Sequence, residues 1–387
     1  MTPSERFVYD LCQKSFLPFW SFPNPIGKKN KELCDVLVVC DKYIIIISVK
    51  DISVSNDSED EVQYKRWVKK AVHDSAKQAN GAARFIEDKT EILAKDRSTH
   101  IKLPSKKSRK VFKIAVAFGS PKKFPLPMGN FENGFVHVFD EESTITIINE
   151  LDTITDFVNY LEAKEKFIPE KYLFAASEVD FLAFYIDTQF EFDMEPNSFV
   201  LDSGLWESYV QSLEYLKWQS EIQVSFFWDR MIKNLYDYHI TLENGTLERD
   251  NLEEALKHIN LEKRAERIEL GMILENARKV GVNARMLKTL EGKNHTYVFM
   301  PLNEKNWQNK KQELIMRCMV ARLENPNTEK IIGIGVGSAE KDGLWYDLAF
   351  LDIPELDEEF IAQVNDIKNE YGYFKNPKYS NSKDMRE

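Results

Sequence analysis

The spacing of apolar positions predicts that the chain opens with a helix. In TPSERFVYDLCQKSF, Phe7, Val8, Leu11, Cys12 and Phe16 recur on one helical face. Thr2 stands as N-cap, Pro3 at the first helical position and Glu5 at the third. The following FLPFWSFPNPIGKKNKE is turn-rich, with room for one short strand before Pro25 and Gly27. Two apolar runs, 34–40 and 43–50, then flank Asp41 and Lys42 and predict strands around a tight turn. The acidic, serine-bearing SVSNDSEDE reads as a loop, and a long helical pattern runs from about Val62 to Ala94. KVFKIAVAFGS and GFVHVFD predict two more strands, after which STITIINELDTITDFVNYLEAKEKF returns to helical periodicity. The order helix, strands, helix, strands, helix predicts an α/β unit over residues 1–168.

Residues 169–387 predict a second region, helical at first and then a small α/β unit. Residues 200–240 are helical and aromatic, with Trp206, Tyr209, Leu213, Leu216 and Trp218 read as a packing stripe. Residues 251–290 read as two helices with a basic side that includes Lys263, Arg264, Arg267, Arg278, Lys279, Arg285 and Lys288. That side is open either to ion pairing or to contact with nucleic acid. HTYVFMPL, EKIIGIGVG and LWYDLAFLDI read as strands, followed by a helix near 357–371 and a frayed tail from Pro377.

Composition adds that the chain is globular, with 43% hydrophobic and 30% charged residues among 387. No run approaches the roughly 18 apolar residues of a transmembrane helix, and MTPSERFVYD has no signal-peptide pattern, so a cytoplasmic location without membrane contact is expected. Cys12, Cys34, Cys40 and Cys318 form no CxxC pair and are expected to be reduced and buried. The net charge of −11 is uneven. Residues 1–150 carry 24 Lys and Arg against 20 Asp and Glu, leaving +4, and the remainder carries −15. The basic residues cluster in YKRWVKK (64–70) and around Lys106, Lys107, Arg109, Lys110, Lys113, Lys122 and Lys123. These are candidates to neutralise phosphates, with a solvated lysine-rich loop as the alternative.

Candidate chemistry centres on KELCDVLVVCDKYIIIISVKD. A strand apolar on both faces belongs in the middle of a covered sheet, so Ser48 and Lys50 lie at the exit of a central strand, on the same face. If the two strands form a hairpin across Asp41 and Lys42, Asp35 falls near the same sheet end. A carboxylate, a hydroxyl and an ammonium then meet there.

That arrangement resembles the PD-(D/E)xK nuclease superfamily, with its restriction-endonuclease-like mixed sheet flanked by helices. The resemblance covers about residues 1–165 and rests on Glu5 in the first helix, Asp35, the Ser48–Lys50 triplet SVK, and Gln78 in KKAVHDSAKQANGAARF. It implies a Mg²⁺- or Mn²⁺-dependent nuclease, with Asp35 the principal metal ligand, Lys50 positioning water and stabilising charge, and Gln78 touching the site or the substrate backbone. DNA is the favoured partner, and a homo-oligomer or an activating protein partner is open. Ser48 stands where the family usually has Asp or Glu. Glu5 would then supply the second carboxylate, with Glu32 the less favoured substitute, or the fold is a degenerate one that binds nucleic acid or scaffolds a complex. Ordinary roles are also open: Glu5 satisfies a capping box, Asp35 a turn, Lys50 a strand end and Gln78 a helix surface.

Other motifs carry less. GIGVG (333–337) lacks the lysine of a phosphate-binding loop and reads as a glycine-containing strand. The six histidines show no ligand spacing, and neither Gly-x-Ser-x-Gly nor HExxH occurs, which argues against zinc and serine hydrolases.

Overall fold

The computed structural model describes residues 1–54, 60–120, 124–131, 133–175, 177–192, 195, 197–240, 246–290, 292–339 and 343–375. Lys122, Lys123, much of the acidic loop and the tail from Pro377 lie outside these residues. The chain divides into two compact units, Met1–Glu221 with Asn260–Arg264, and Ile222–Ile259 with Ala265–Glu387. The first therefore extends past residue 168.

In the first unit, α1 (Pro3–Ser15) precedes β1 (Ser21–Pro23), β2 (Val36–Cys40) and β3 (Tyr43–Asp51). A long helical stretch follows: α2 (Asp60–Trp67), a π-helical turn (Val68–His73) and α3 (Asp74–Ile86). The short β4 (Glu91–Leu93) and β5 (His100–Lys102) pair with each other, and then come β6 (Lys110–Phe118), β7 (Gly129–Asn130) and β8 (Phe135–Phe139). The main sheet has the order β1-β2-β3-β6-β8-β7. Its first three strands form an antiparallel meander, while β3, β6 and β8 run parallel.

The isoleucine strand is central, as its pattern predicts. Ile44, Ile45, Ile46 and Ile47 are all 0% exposed, because helices cover both sheet faces. On one face, Ile44 and Ile46 pack with Leu37, Val39, Ala79, Ala82 and Ile86, which seats α3. On the same side Trp67, Ala71, Val72 and Ala76 pack on Ala115 and Ala117 of β6 and on Val136 and Val138 of β8. The other face is covered by α1 and by α4 (Glu141–Glu150). Beyond it α5 (Ile154–Phe167) brings Phe157 against Phe16, ring centroids 4.9 Å apart. The remainder is β9 (Tyr172–Ala175), α6 (Glu178–Asp187), β10 (Ser198–Leu201), α7 (Leu205–Val210) and α8 (Leu213–Glu221). The stripe expected on α7 and α8 is not core: Leu213 is 80% exposed and Leu216 57%.

The second unit comprises α9 (Phe226–Ile240), α10 (Thr246–Leu261, whose last two residues belong to the first unit), α11 (Arg264–Lys279, whose first residue belongs to the first unit), β11 (Arg285–Met286), β12 (His295–Pro301), α12 (Lys310–Glu324), β13 (Lys330–Ala339), β14 (Gly343–Asp352) and α13 (Glu358–Tyr371). The three predicted strands and the closing helix are present. GIGVG lies in β13, where a Cβ at Gly333 would stand 2.4 Å from Cys318 Sγ of α12. Gly333 serves close helix–sheet packing, while Gly335 and Gly337 make room for Leu302. The basic side expected of 251–290 is partly buried in ion pairs: within the second unit Arg267 binds Asp229, and within the first Arg264 binds Asp152 at 2.8 Å. All four cysteines are free and buried.

Candidate active site

The hairpin brings the predicted residues together. Asp41, with φ of 52°, turns the chain so that Cys40 faces Tyr43 and Val36 faces Ile47. One step further, Asp35 N–H donates to Ile47 C=O at 3.1 Å, which holds Asp35 against the exit end of β3. Lys50 is two residues beyond Ser48, so these two share the α3 face, and Asp35 lies at the same sheet end, close enough for the Lys50 charge to act on it.

Asp35 is 2% exposed, and its Oδ2 accepts from Val49 N–H at 2.6 Å, just past the end of the β2–β3 ladder. Burial pushes its pKa up to about 7, a hydrogen bond with the Glu32 carboxyl adds to the rise, and the Val49 amide and Lys50 oppose it. Burial is the larger cause and the neighbouring Glu32 carboxyl the second. Glu32 is exposed, so the pair opens to solvent through it. Its loop is stapled in place: Gly27 N–H donates to Lys31 C=O at 2.7 Å, Leu33 N–H to Pro25 C=O at 2.8 Å, and Ile26 N–H to Leu93 C=O of β4 at 2.8 Å.

Ser48 is fully buried and its hydroxyl donates to Gln78 Oε1 at 2.9 Å. Gln78 of α3 thus joins the site through Ser48. Lys50 is half-buried and, among the described residues, makes no hydrogen bond or ion pair, so its ammonium is available. Gly119 completes this end of the sheet. Its φ of +79° lets β6 end where a Cβ would stand 2.4 Å from Ile52 C=O.

Glu5 stands elsewhere. Its Oε2 accepts from Thr2 N–H at 2.9 Å in a full capping box, the structural role open to it from the sequence. The second carboxylate at Asp35 is that of Glu32. The signal for it was a glutamate three residues before Asp35, and the Gly27 turn that returns the chain there has no periodicity to read.

The basic cluster is not brought to Asp35 and Lys50. In the β3–β6 register Lys110 pairs with Tyr43, Lys113 with Ile46 and Ala117 with Lys50, so Lys110 lies about 23 Å and Lys113 about 13 Å of strand away. Lys106 pairs with Asp88 at 2.7 Å and Glu87 at 3.2 Å, and Lys110 with Glu162. Arg109 donates to the carbonyls of Ile86, Glu87, Lys89 and Pro104, capping the end of α3. Lys113 is half-buried on Asn80 Oδ1 at 2.7 Å, and burial lowers its pKa. Lys107 is exposed. Exposed cations do lie in the elements that carry the site: Lys28, Lys29 and Lys31 in the Glu32 loop, and Arg66, Lys69, Lys70 and Lys77 along the helix bearing Gln78.

Among the described residues no three His, Cys, Asp or Glu side chains converge on one point. Magnesium in a phosphodiesterase needs only one or two protein carboxylates, with water and substrate phosphate completing its shell. Asp35 with the neighbouring Glu32 carboxyl is a donor set of that size. No protein-family model, curated protein or solved structure matches this chain.

Proposed function

We propose that this protein is a divalent-metal-dependent nuclease, DNA being the first substrate class to test, with restriction, repair or anti-phage defence as its setting. The observation that carries the reading is the convergence of Asp35, Glu32 and Lys50 at the exit of a fully buried strand. The resemblance to PD-(D/E)xK nucleases agrees with it. Bound Mg²⁺ or Mn²⁺ would make a water nucleophilic and offset charge on the phosphate. Asp35 and Glu32 would hold the ion. Lys50 presents its ammonium to the negative charge that grows on the phosphoryl oxygens. Ser48 fixes Gln78, whose amide nitrogen serves the substrate backbone. Lys28, Lys29, Lys31, Lys69, Lys70 and Lys77 neutralise flanking phosphates.

One observation favours a second reading, a nuclease fold that only binds nucleic acid or scaffolds a complex: Ser48 is neutral, buried and committed to Gln78. The test is cleavage of labelled single- and double-stranded DNA and RNA with Mg²⁺, Mn²⁺ or EDTA, comparing the native chain with Asp35→Ala, Glu32→Gln and Lys50→Ala. Metal-dependent cleavage lost in all three supports the enzyme. Binding without cleavage by a folded native chain, unchanged in Lys50→Ala, favours the second reading.

A further inference from the structure

Trp206 and Tyr209, from the apolar stripe on α7, are half-buried rather than core. With Tyr215 of α8 they form a triangle of rings, the centroids 5.6 Å (Trp206–Tyr209), 6.4 Å (Trp206–Tyr215) and 5.1 Å (Tyr209–Tyr215) apart. The rings are inclined to one another by 42°, 75° and 66°, so no two are stacked. Their backbone is pinned from both sides. Trp206 N–H donates to Asp180 Oδ1 of α6 at 3.2 Å, and Tyr215 N–H to Ser212 Oγ at 3.1 Å.

One carboxyl lies against this triangle. Tyr215 O–H donates to Glu150 Oε2 at 3.3 Å, and burial followed by the Glu150 charge pushes the Tyr209 and Tyr215 hydroxyls up to about 12. Burial pushes Glu150 itself up to about 7, against the Tyr215 hydrogen bond, and Asp152 adds to the rise. Asp152 is bound by Arg264 at 2.8 Å, whereas among the described residues no lysine, arginine or histidine bonds to Glu150 or lies over the three rings. Glu150 ends α4, whose last turn has no basic residue, so the negative pole of that helix adds to the carboxylate.

The chemistry of the occupant follows. A carboxyl drawn out of water with no cation beside it, next to rings whose faces carry negative potential, favours a positive charge. In a triangle of this size one cation can stand within about 6 Å of all three centroids. A compact ammonium holds its water tightly, whereas alkyl groups on the nitrogen have already displaced that water and pack on aromatic rings.

We infer that Trp206, Tyr209, Tyr215 and Glu150 bind an alkylated ammonium group, of the kind carried by choline-like ions and by methylated lysine. The inference does not depend on the nuclease reading and uses no residue of that site.

The test is calorimetric titration of the full-length chain with choline, with its uncharged isostere in which carbon replaces the quaternary nitrogen, and with a short peptide carrying trimethyllysine or unmodified lysine. Choline or the trimethyllysine peptide is expected to bind saturably, and the tighter of the two identifies the source of the group. The isostere and the unmodified peptide are expected to bind about tenfold more weakly than their counterparts. Glu150→Gln and Trp206→Leu should each weaken binding about tenfold, while Tyr209→Phe, which keeps the ring, should hold it within about twofold. Because a chain of net charge −11 attracts any cation, Glu358→Gln on α13 is measured beside them and should leave affinity unchanged. No saturable binding of either probe, equal binding of the isostere or of unmodified lysine, or unchanged affinity in Glu150→Gln overturns the proposal. So does equal weakening by Glu358→Gln. Thermal melts verify that each variant is folded, and where Trp206→Leu melts early the near-isosteric Glu150→Gln decides alone.

Discussion

Asp35 combines two demands that ordinarily conflict. It ends a buried ladder by accepting from Val49 N–H, and it faces a second carboxyl. With its pKa raised from the ordinary carboxylate range to about 7, the native state holds the proton more tightly than the unfolded chain. Stability contributed by this group is therefore full at low pH and falls as pH rises through about 7. Asp35→Asn should raise the melting temperature of the metal-free protein above neutrality, leave it little changed near the ordinary carboxylate pKa, and abolish any stabilisation by Mg²⁺. Melts across pH with EDTA or Mg²⁺ check all three. Ser48 supplies the complementary experiment, since a carboxylate there would restore the residue type the resemblance expects. Ser48→Asp should lower metal-free stability by about 2 kcal/mol through like-charge repulsion and burial. It should also tighten Mn²⁺ binding by calorimetry. A variant that loses stability and binds Mn²⁺ no better would remove metal binding from this face.

At the scale of elements, Arg109 shows how far a residue type is from a role. In the sequence it belongs to a lysine-rich run, yet it is spent on carbonyls at the end of α3. Arg109→Ala should cost about 2–3 kcal/mol in urea unfolding, with nucleic-acid binding unchanged, whereas loss of binding at constant stability would return it to the interface. Long elements were legible: the hairpin of β2 and β3, the strands β6 and β8, and the helix carrying Gln78 follow from alternation, four consecutive isoleucines and periodicity, whereas the parallel direction of β6 and β8 does not. Strands of two to four residues, such as β4, β7 and β9, have too few positions to establish a period. The π-helical turn was invisible for a related reason, since it changes spacing by a single residue. Leu213 and Leu216 were read as a packing stripe because periodicity says which residues share a face, not whether anything covers it. Of the site, Asp35, Ser48 and Lys50 were legible from the hairpin pattern, and Gln78 was legible from the resemblance alone. Glu32 outranking Glu5 was not, because an irregular loop decides it.

At the scale of the molecule, no helix among the described residues is long and apolar enough to cross a membrane. The net charge of −11 coexists with a basic first part, so any nucleic-acid affinity should fall steeply with salt. The first unit also encloses a fully buried ion pair of Lys164 and Glu178, with Tyr160 O–H donating to the same carboxylate at 2.7 Å and Glu178 Oε2 left without a partner. Removing only the cation strands a buried charge. Lys164→Met should cost about 3–5 kcal/mol, much of it recovered in Lys164→Met/Glu178→Leu, as chemical denaturation of both variants will measure.

The π-helical turn between Trp67 and Asp74 bears on all three scales. Gln63, Trp67, Ala71, Ser75 and Ala79 are buried at intervals of four, a spacing that drifts about 40° per step on an ideal helix. The turn absorbs that drift through the Asp74 N–H bond to Lys69 C=O, five residues back. It works as the vernier of the helix: Trp67 stays engaged with the Phe118 carbonyl at one end while Gln78 is dialled onto Ser48 at the other. The azimuth of Gln78 is thus set by the length of the chain before it, and a change of one residue there would reset the site without touching any residue in it.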